Sequence, residues 1–301
     1  FQYHQKKEFK IAEKLYKKIL KVDPMHAVTH NNLGMVLKEL GQFQKAAACY
    51  QQAIQIKPDY VNAHHNLGNI QKKLGKFKEA KNCYEKAIEI DSLHIPSHNN
   101  LGLIFQELGE NQKAKSCYEK AIRINPNYAD VYNNLGRVFQ RLEDYEKAKD
   151  YYQKAIQTQP HHANAYNNLG IVFQEMGKFE KAKSCYQKAL KHEPKNLNYF
   201  YQLSDLKKEI LNSKLKSKIN KIMKDDSCTG MNLAYGNFLL AKYALIAKNY
   251  KKEFKYLLKG HQSYFDSEEK NFNKGIDYCL NELPKIKKLV NINRLDKKIE
   301  K

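Results

Sequence analysis

The sequence predicts an all-α solenoid of stacked antiparallel helix pairs, and three observations predict it. The first is a fixed period. Asn-Leu-Gly recurs after Asn31, His65, Asn99, Asn133 and Asn167, and the step from Asn32 to Asn66, Asn100, Asn134 and Asn168 is 34 residues each time. The second is a set of invariant columns carrying Ala, Tyr and Ala at the same offsets in every cell. The third is punctuation by Gly and Pro at two fixed places. A constant period of this length marks a helical-repeat array, because one helix pair cannot bury its apolar face alone and stacked neighbours can.

With the Leu of each cell as position 7, the cells are 27–60, 61–94, 95–128, 129–162 and 163–196. Positions 4, 7, 8 and 11 share one face of a first helix, and positions 17, 20, 24 and 27 share one face of a second. Position 20 is Ala46, Ala80, Ala114, Ala148 and Ala182, and position 27 is Ala53, Ala87, Ala121, Ala155 and Ala189. These small residues, with Gly at position 8, let the two helices approach closely. Between them stands Tyr50, Tyr84, Tyr118, Tyr152 or Tyr186 at position 24. Gly41, Gly75, Gly109 and Gly177 at position 15 end the first helix where a left-handed residue is needed. Pro58, Pro126, Pro160 and Pro194 at position 32 stop the second, with Ser92 the one departure.

This pattern resembles the tetratricopeptide repeat (TPR), which carries an aromatic at 4, Leu-Gly at 7–8, a large residue at 11, small residues at 20 and 27, and Pro at 32. Here position 4 is His30, His64, His98, Tyr132 and Tyr166, so the usual Trp is replaced throughout. The resemblance implies a right-handed superhelix whose first helices line a concave inner face. Residues 1–26 read as the second helix of a partial cell, with Phe9, Ala12, Tyr16 and Ile19 at positions 17, 20, 24 and 27. That half cell exposes an apolar face and implies a further helix upstream. From Leu197 to Lys301 the pattern decays into a TPR-like helical region with a basic tail. In it Lys214–Lys224 reads as a basic amphipathic helix and 234–267 as a degenerate cell. Two more helices are expected at about 268–282 and 284–292.

The degenerate cell carries a second resemblance. The run Phe238-Leu239-Leu240-Ala241-Lys242-Tyr243, followed by Tyr250, Phe254, Leu257 and Gly260, is similar to the segment joining repeats to catalytic domain in bacterial TPR-sulfotransferases. It covers about 234–290. The phosphate-binding loop of that family is not in the sequence, so no catalytic or cofactor residue carries over. 3'-Phosphoadenosine-5'-phosphosulfate would enter only through a downstream sulfotransferase domain. No nucleophile constellation or phosphate loop marks these 301 residues as an enzyme.

Composition narrows the classes. Mean hydropathy is −0.76, and no apolar run approaches the ~20 residues a membrane helix needs. The net charge of +21 comes from a basic set that is Lys apart from Arg123, Arg137, Arg141 and Arg294. Bidentate and base-specific recognition leans on Arg, so the expectation is no specific nucleic acid. Cys49, Cys83, Cys117 and Cys185 all fall at position 23. Cells spaced by helix packing, roughly 8–10 Å, are too far apart for disulfides, so free thiols in a reducing cytoplasm are expected. The pairs His26/His30 and His94/His98 have metal-like spacing, but they occupy positions 34 and 4 of the repeat, where packing explains them and no metal is expected.

The functional expectation falls on positions 2, 6, 9 and 13, which lie opposite the helix-pair interface. Asn32, Asn66, Asn100, Asn134 and Asn168 at position 6, with Asn69 at position 9, form a ladder along the inner face. An amide both donates and accepts, and so can hold the backbone of an extended peptide whatever its side chains. A similar ladder is a feature of protein O-linked N-acetylglucosamine transferases. Arg137 and Arg141 concentrate positive charge beside Asn134, where they can anchor a carboxylate, phosphate or sulfate group of a partner or pair with Glu107 or Glu175 of neighbouring cells. The partner expected is therefore a protein or peptide segment. On this reading Asn100 and Asn134 face away from the core, and their loss leaves stability unchanged.

Overall fold

The computed structural model describes residues 8–206 and 208–268. Among them the chain is helical throughout, with no strand. A lone helix α1 (Phe9–Val22) is followed by five pairs, each a 13-residue first helix and a 14-residue second. These are α2 (Ala27–Glu39) with α3 (Phe43–Ile56), α4 (Val61–Lys73) with α5 (Phe77–Ile90), and α6 (Ile95–Glu107) with α7 (Asn111–Ile124). They continue with α8 (Ala129–Arg141) and α9 (Tyr145–Thr158), then α10 (Ala163–Glu175) and α11 (Phe179–His192).

One contact, repeated five times, sets the distance between the helices of a pair. A Cβ built on Gly34, Gly68, Gly102, Gly136 or Gly170 would fall 2.5–2.7 Å from the ring of Tyr50, Tyr84, Tyr118, Tyr152 or Tyr186. Each of these rings is fully buried, and the Ala at positions 20 and 27 on either side are 0 % exposed in every cell. The phenol oxygen must also be satisfied inside the core. Tyr118, Tyr152 and Tyr186 donate to Oε1 of Gln106, Gln140 and Gln174 at 2.7, 2.7 and 3.0 Å. The second cell carries Lys72 in place of that Gln, and there Tyr84 donates to Asn69 Oδ1 at 2.8 Å. Burial raises the pKa of every one of these phenols, so they stay protonated donors.

Consecutive helices pack along the whole array, and in addition the first helices of neighbouring cells touch one another. The ribbon therefore curves with its first helices on the inside. Histidines at positions 4 and 34 hold the corner between cells. His30, His64 and His98 donate from Nε2 to the carbonyls of Pro24, Pro58 and Ser92, each at 2.9 Å. His26, His94 and His162 cap the following first helix, accepting at Nδ1 from the N–H of Thr29, Ser97 and Ala165. Both rings of each metal-like pair are thus engaged with backbone, and no group of three or more His, Cys, Asp or Glu among the described residues is placed to hold a metal ion. The four position-23 thiols and Cys228 are free. Burial pushes Cys83, Cys117 and Cys185 up to about 11.

After the fifth cell the geometry changes as the pattern does. Helix α12 (Leu197–Leu206) leads into a 3-10 turn at Lys208–Ile210 and then into α13 (Ser213–Met223), capped by Asn212. Helix α14 (Gly230–Ile246) packs beside α12, and Asn232 fixes it there by accepting from Leu197 N–H and donating to the Lys195 carbonyl. It pairs with α15 (Tyr250–Glu268), where a Cβ on Gly260 would collide with the Phe238 ring. So 234–267 does form a helix pair, but α14 begins four residues earlier than the repeat register predicts. The helices expected at 268–282 and 284–292, and Cys279, lie outside the described residues apart from Glu268.

Position 15 yields a direct test. Gly41, Gly75, Gly109 and Gly177 have φ between +71 and +76°, and the fourth cell places Glu143 there at φ +59°. A side chain in this region costs ~1–2 kcal/mol. Glu143→Gly is expected to stabilise the protein by about 1 kcal/mol after the entropy lost by glycine. A urea midpoint that is unchanged or lower would contradict the assigned turn.

Candidate functional site

The concave face is built from positions 5, 6 and 9 of successive first helices. Position 6 was expected to be free, and the structure corrects this. Asn66 donates from Nδ2 to Asn31 Oδ1 at 3.0 Å, Asn134 to Asn99 at 2.9 Å, and Asn168 to Asn133 at 3.0 Å. Each bond runs from position 6 of one cell to position 5 of the cell before. The reason is geometric: adjacent first helices touch, so the side chain flanking the groove also meets its neighbour. Position 5, absent from the expected set, is the more buried of the two, with Asn31, Asn99, Asn133 and Asn167 all buried. Its signal in the sequence was the doubling of Asn before Leu-Gly.

The exception explains itself. The second cell has His65 at position 5, and Asn100 turns instead to Asn69 Oδ1 at 2.8 Å. The His65 ring is packed against Tyr84 and His94. Ser97 sits between the two imidazoles, 2.8 Å from His94 Nδ1 and 3.1 Å from His65 Nδ1. Because His94 Nδ1 already accepts the Ser97 N–H, the Ser97 hydroxyl donates to it and His65 Nδ1–H donates to that hydroxyl. Burial, with added repulsion from His94, Lys72 and Lys38, lowers the His65 pKa to about 4.

Arg141 is exposed, and its Nη1 donates to the Gln106 carbonyl of the cell before at 2.8 Å. That carbonyl lies in the last turn of α6, where it also accepts from the Gly109 N–H and where the helix end favours a cation. Arg141 is thus a tie between cells. Arg137 differs: it is half-buried, with no carboxylate within ion-pair distance among the described residues.

Two cavities occupy the inner face. One, of about 530 Å³, is lined by Asn99, Leu103, Asp130, Asn133, Asn134, Arg137, His162, Asn164, Asn167, Asn168 and Asn198. The other, of about 800 Å³, lies towards the N-terminus and includes Lys38, Asn69, Lys72, Lys73, Leu103 and Glu107. Leu103 borders both, so the two cavities adjoin. Of the expected residues, the structure brings Asn134, Arg137 and Asn168 to the first cavity and Asn69 to the second. Asn32, Asn66, Asn100 and Arg141 line neither. Asp130 falls at position 2 of the predicted inner stripe, whereas His162, which sequence reading missed, joins it through His162 Nε2 and Asp130 Oδ1 at 3.0 Å. The hydrogen bond from His162 lowers the Asp130 pKa, keeping a carboxylate on the rim. The ladder ends at Asn167, whose Oδ1 has no donor among the described residues because Gln202 in the next first helix turns to Asn198.

Comparison with known proteins agrees with this geometry. Tetratricopeptide repeat models match residues 94–160, 127–192 and 61–92, and a TPR repeat model matches 34–75. The chain is a tetratricopeptide-repeat protein. Solved structures share the fold. This TPR array is similar to pilF of Pseudomonas aeruginosa at 18% identity, over 81% of this chain and 95% of that one, with a TM-score of 0.54. It is similar to BtubC (BKLC) from P. vanneervenii at 21% identity, covering 62% and 89% of the two chains, with a TM-score of 0.54. TTC0263 of Thermus thermophilus is 22% identical over 60% and 98%, with a TM-score of 0.51. No curated protein matches the chain. No helix among the described residues is long and apolar enough to cross a membrane.

Two outcomes follow from the ladder. Asn134→Ala removes a buried bond and strands Asn99, so it is expected to cost about 0.5–1.5 kcal/mol; a chemical-denaturation curve identical to wild type would show that the bond is not a tie. The unfolded chain binds a proton at His65 near the ordinary pKa of ~6.5 and the folded chain only near 4, so stability is full above that pH and falls as pH drops between them. His65→Asn is expected to flatten this part of the profile, and an unaltered slope across that window would contradict the assignment.

Proposed function

We propose that this chain is a protein-interaction scaffold that holds extended segments of other proteins along its concave groove. The observation that carries the reading is the pair of adjoining cavities, one amide-rich at Asn133, Asn134, Asn167 and Asn168 and lined by Arg137, with Leu103 bordering both. An Asn amide has two N–H donors and a carbonyl with two acceptor sites. The ladder uses one donor each of Asn134 and Asn168, Asn168 Oδ1 also accepts from Asn167 Nδ2, and both side chains line the cavity. Leu103 offers an apolar contact, and Arg137 offers a partner's carboxylate a charge-assisted bond. Holding Arg137 half-buried without a carboxylate costs desolvation that an acidic ligand offsets.

The amides therefore serve two purposes, and a test must separate them. Peptides selected from a displayed random library on the intact chain should bind Arg137→Ala or Leu103→Asp on the order of tenfold more weakly, a loss of about 1.4 kcal/mol. Thermal melting of Arg137→Ala should stay at the wild-type value, since no tie between cells is removed. Unchanged affinity in both variants would place binding elsewhere.

A second reading rests on the run from Phe238 to Gly260. Its Gly is required by the close approach of the Phe238 ring, and the run is similar to the linkers of TPR-sulfotransferases. On that reading the array is the non-catalytic arm of a sulfotransferase-like protein, and any 3'-phosphoadenosine-5'-phosphosulfate would bind outside these residues. A stand-alone adaptor accounts for the groove equally well. The coding sequence beyond Lys301 distinguishes them by the presence or absence of an α/β domain with a phosphate-binding loop.

A further inference from the structure

Away from the concave groove, the charge pattern of the surface changes at α13. On the repeats, lysines pair with carboxylates one helical turn away, as in Lys81–Glu85, Lys115–Glu119, Lys147–Asp144 and Lys183–Glu180. Between Lys214 and Lys224 there are five lysines and no Asp or Glu. All five are exposed, and none makes an ion pair among the described residues. The apolar side of the same helix, Ile219 and Ile222, is buried against the rest of the region. The helix thus has no free apolar face to insert into a lipid surface, and what it presents is positive charge.

That charge borders a hollow. A cavity of about 550 Å³ lies between α11, α12, the 3-10 turn and α13, with Phe200, Leu203, Ile210 and Leu215 among its apolar walls. Lys214 and Lys218, which make no ion pair among the described residues, line it together with Glu209 and with Lys183, which is already paired with Glu180. We infer that this hollow is a second docking surface, which takes an acidic segment of a partner protein that inserts one aliphatic or aromatic side chain between flanking carboxylates.

The other occupants fit less well. A nucleic acid would find phosphate contacts but no stacking platform, because the Phe200 ring is 9 % exposed and already covered by Lys218 Nζ at 4.8 Å. A second copy of this chain brings a net charge of +21 against the lysines, and the stretch 269–301 is itself basic in balance. An acidic segment gains both from charge complementarity at the rim and from burial of its apolar side chain.

The test uses the full chain and three fluorescent probes: a short Asp/Glu-rich peptide with a central Leu-Phe pair, the same peptide with Ala for that pair, and an oligothymidylate of equal charge. The acidic Leu-Phe peptide is expected to bind tightest, and to weaken with salt as exposed charges are screened. Lys214→Glu/Lys218→Glu is expected to weaken it on the order of tenfold or more, whereas Lys120→Glu, an exposed charge reversal on the second helix α7, leaves it unchanged. Both lysines are exposed, and circular dichroism confirms that the variant is folded. Equal binding of the Leu-Phe and Ala peptides, preference for the oligothymidylate, or indifference to the double reversal would each overturn the inference.

Discussion

The structure depends on one steric fit: a tyrosine ring laid against a glycine. At position 8 the first helix has no side chain, and the position-24 ring of the second helix fills that space at 2.5–2.7 Å from where a Cβ would stand. The small residues at 20 and 27 follow from this, because helices held so closely leave room there only for Ala. The polar consequence follows too. A buried phenol needs an acceptor, which the chain supplies as Gln at position 12 and, where Lys72 takes that place, as Asn69. A single approach distance thus propagates from packing into the polar surface of the groove.

The groove itself is a by-product of curvature. First helices touch on the inside of the array, and the amides that tie them are the amides that a ligand would meet. Such a surface is preorganised, because Asn134 and Asn168 are already held by Asn99 and Asn133. A partner strand meets oriented donors and acceptors and does not need to order them, which reduces the entropic cost of binding. It also means that stability and recognition overlap at position 6, whereas Leu103 and Arg137 at position 9 are available for recognition.

The repeat was legible in the sequence because its determinants are local and periodic. The Leu-Gly, Tyr and Ala columns located ten helices and the face each buries. What the period could not reveal was the relation between cells. Asn31 and Asn32 look alike in sequence, and only the neighbouring helix decides that position 5 is buried and accepts while position 6 donates. Arg141 read as a groove cation because its carbonyl partner, Gln106, lies 35 residues away. His162 and Asp130 lie at opposite ends of one cell, and nothing in their spacing of 32 announces a contact. Beyond Asn196 the period no longer constrains the register, and the start of α14 shifted by four residues.

Placing a photoreactive benzoyl-phenylalanine at Leu103, and separately at exposed Lys120 on the second helix α7, tests the central claim most directly when the chain is irradiated among its natural partners. The account predicts covalent adducts at Leu103, mapped by mass spectrometry to extended segments of partner proteins, and few or none at Lys120. Adducts at Lys120 with none at Leu103 would place recognition on the convex face and contradict the account.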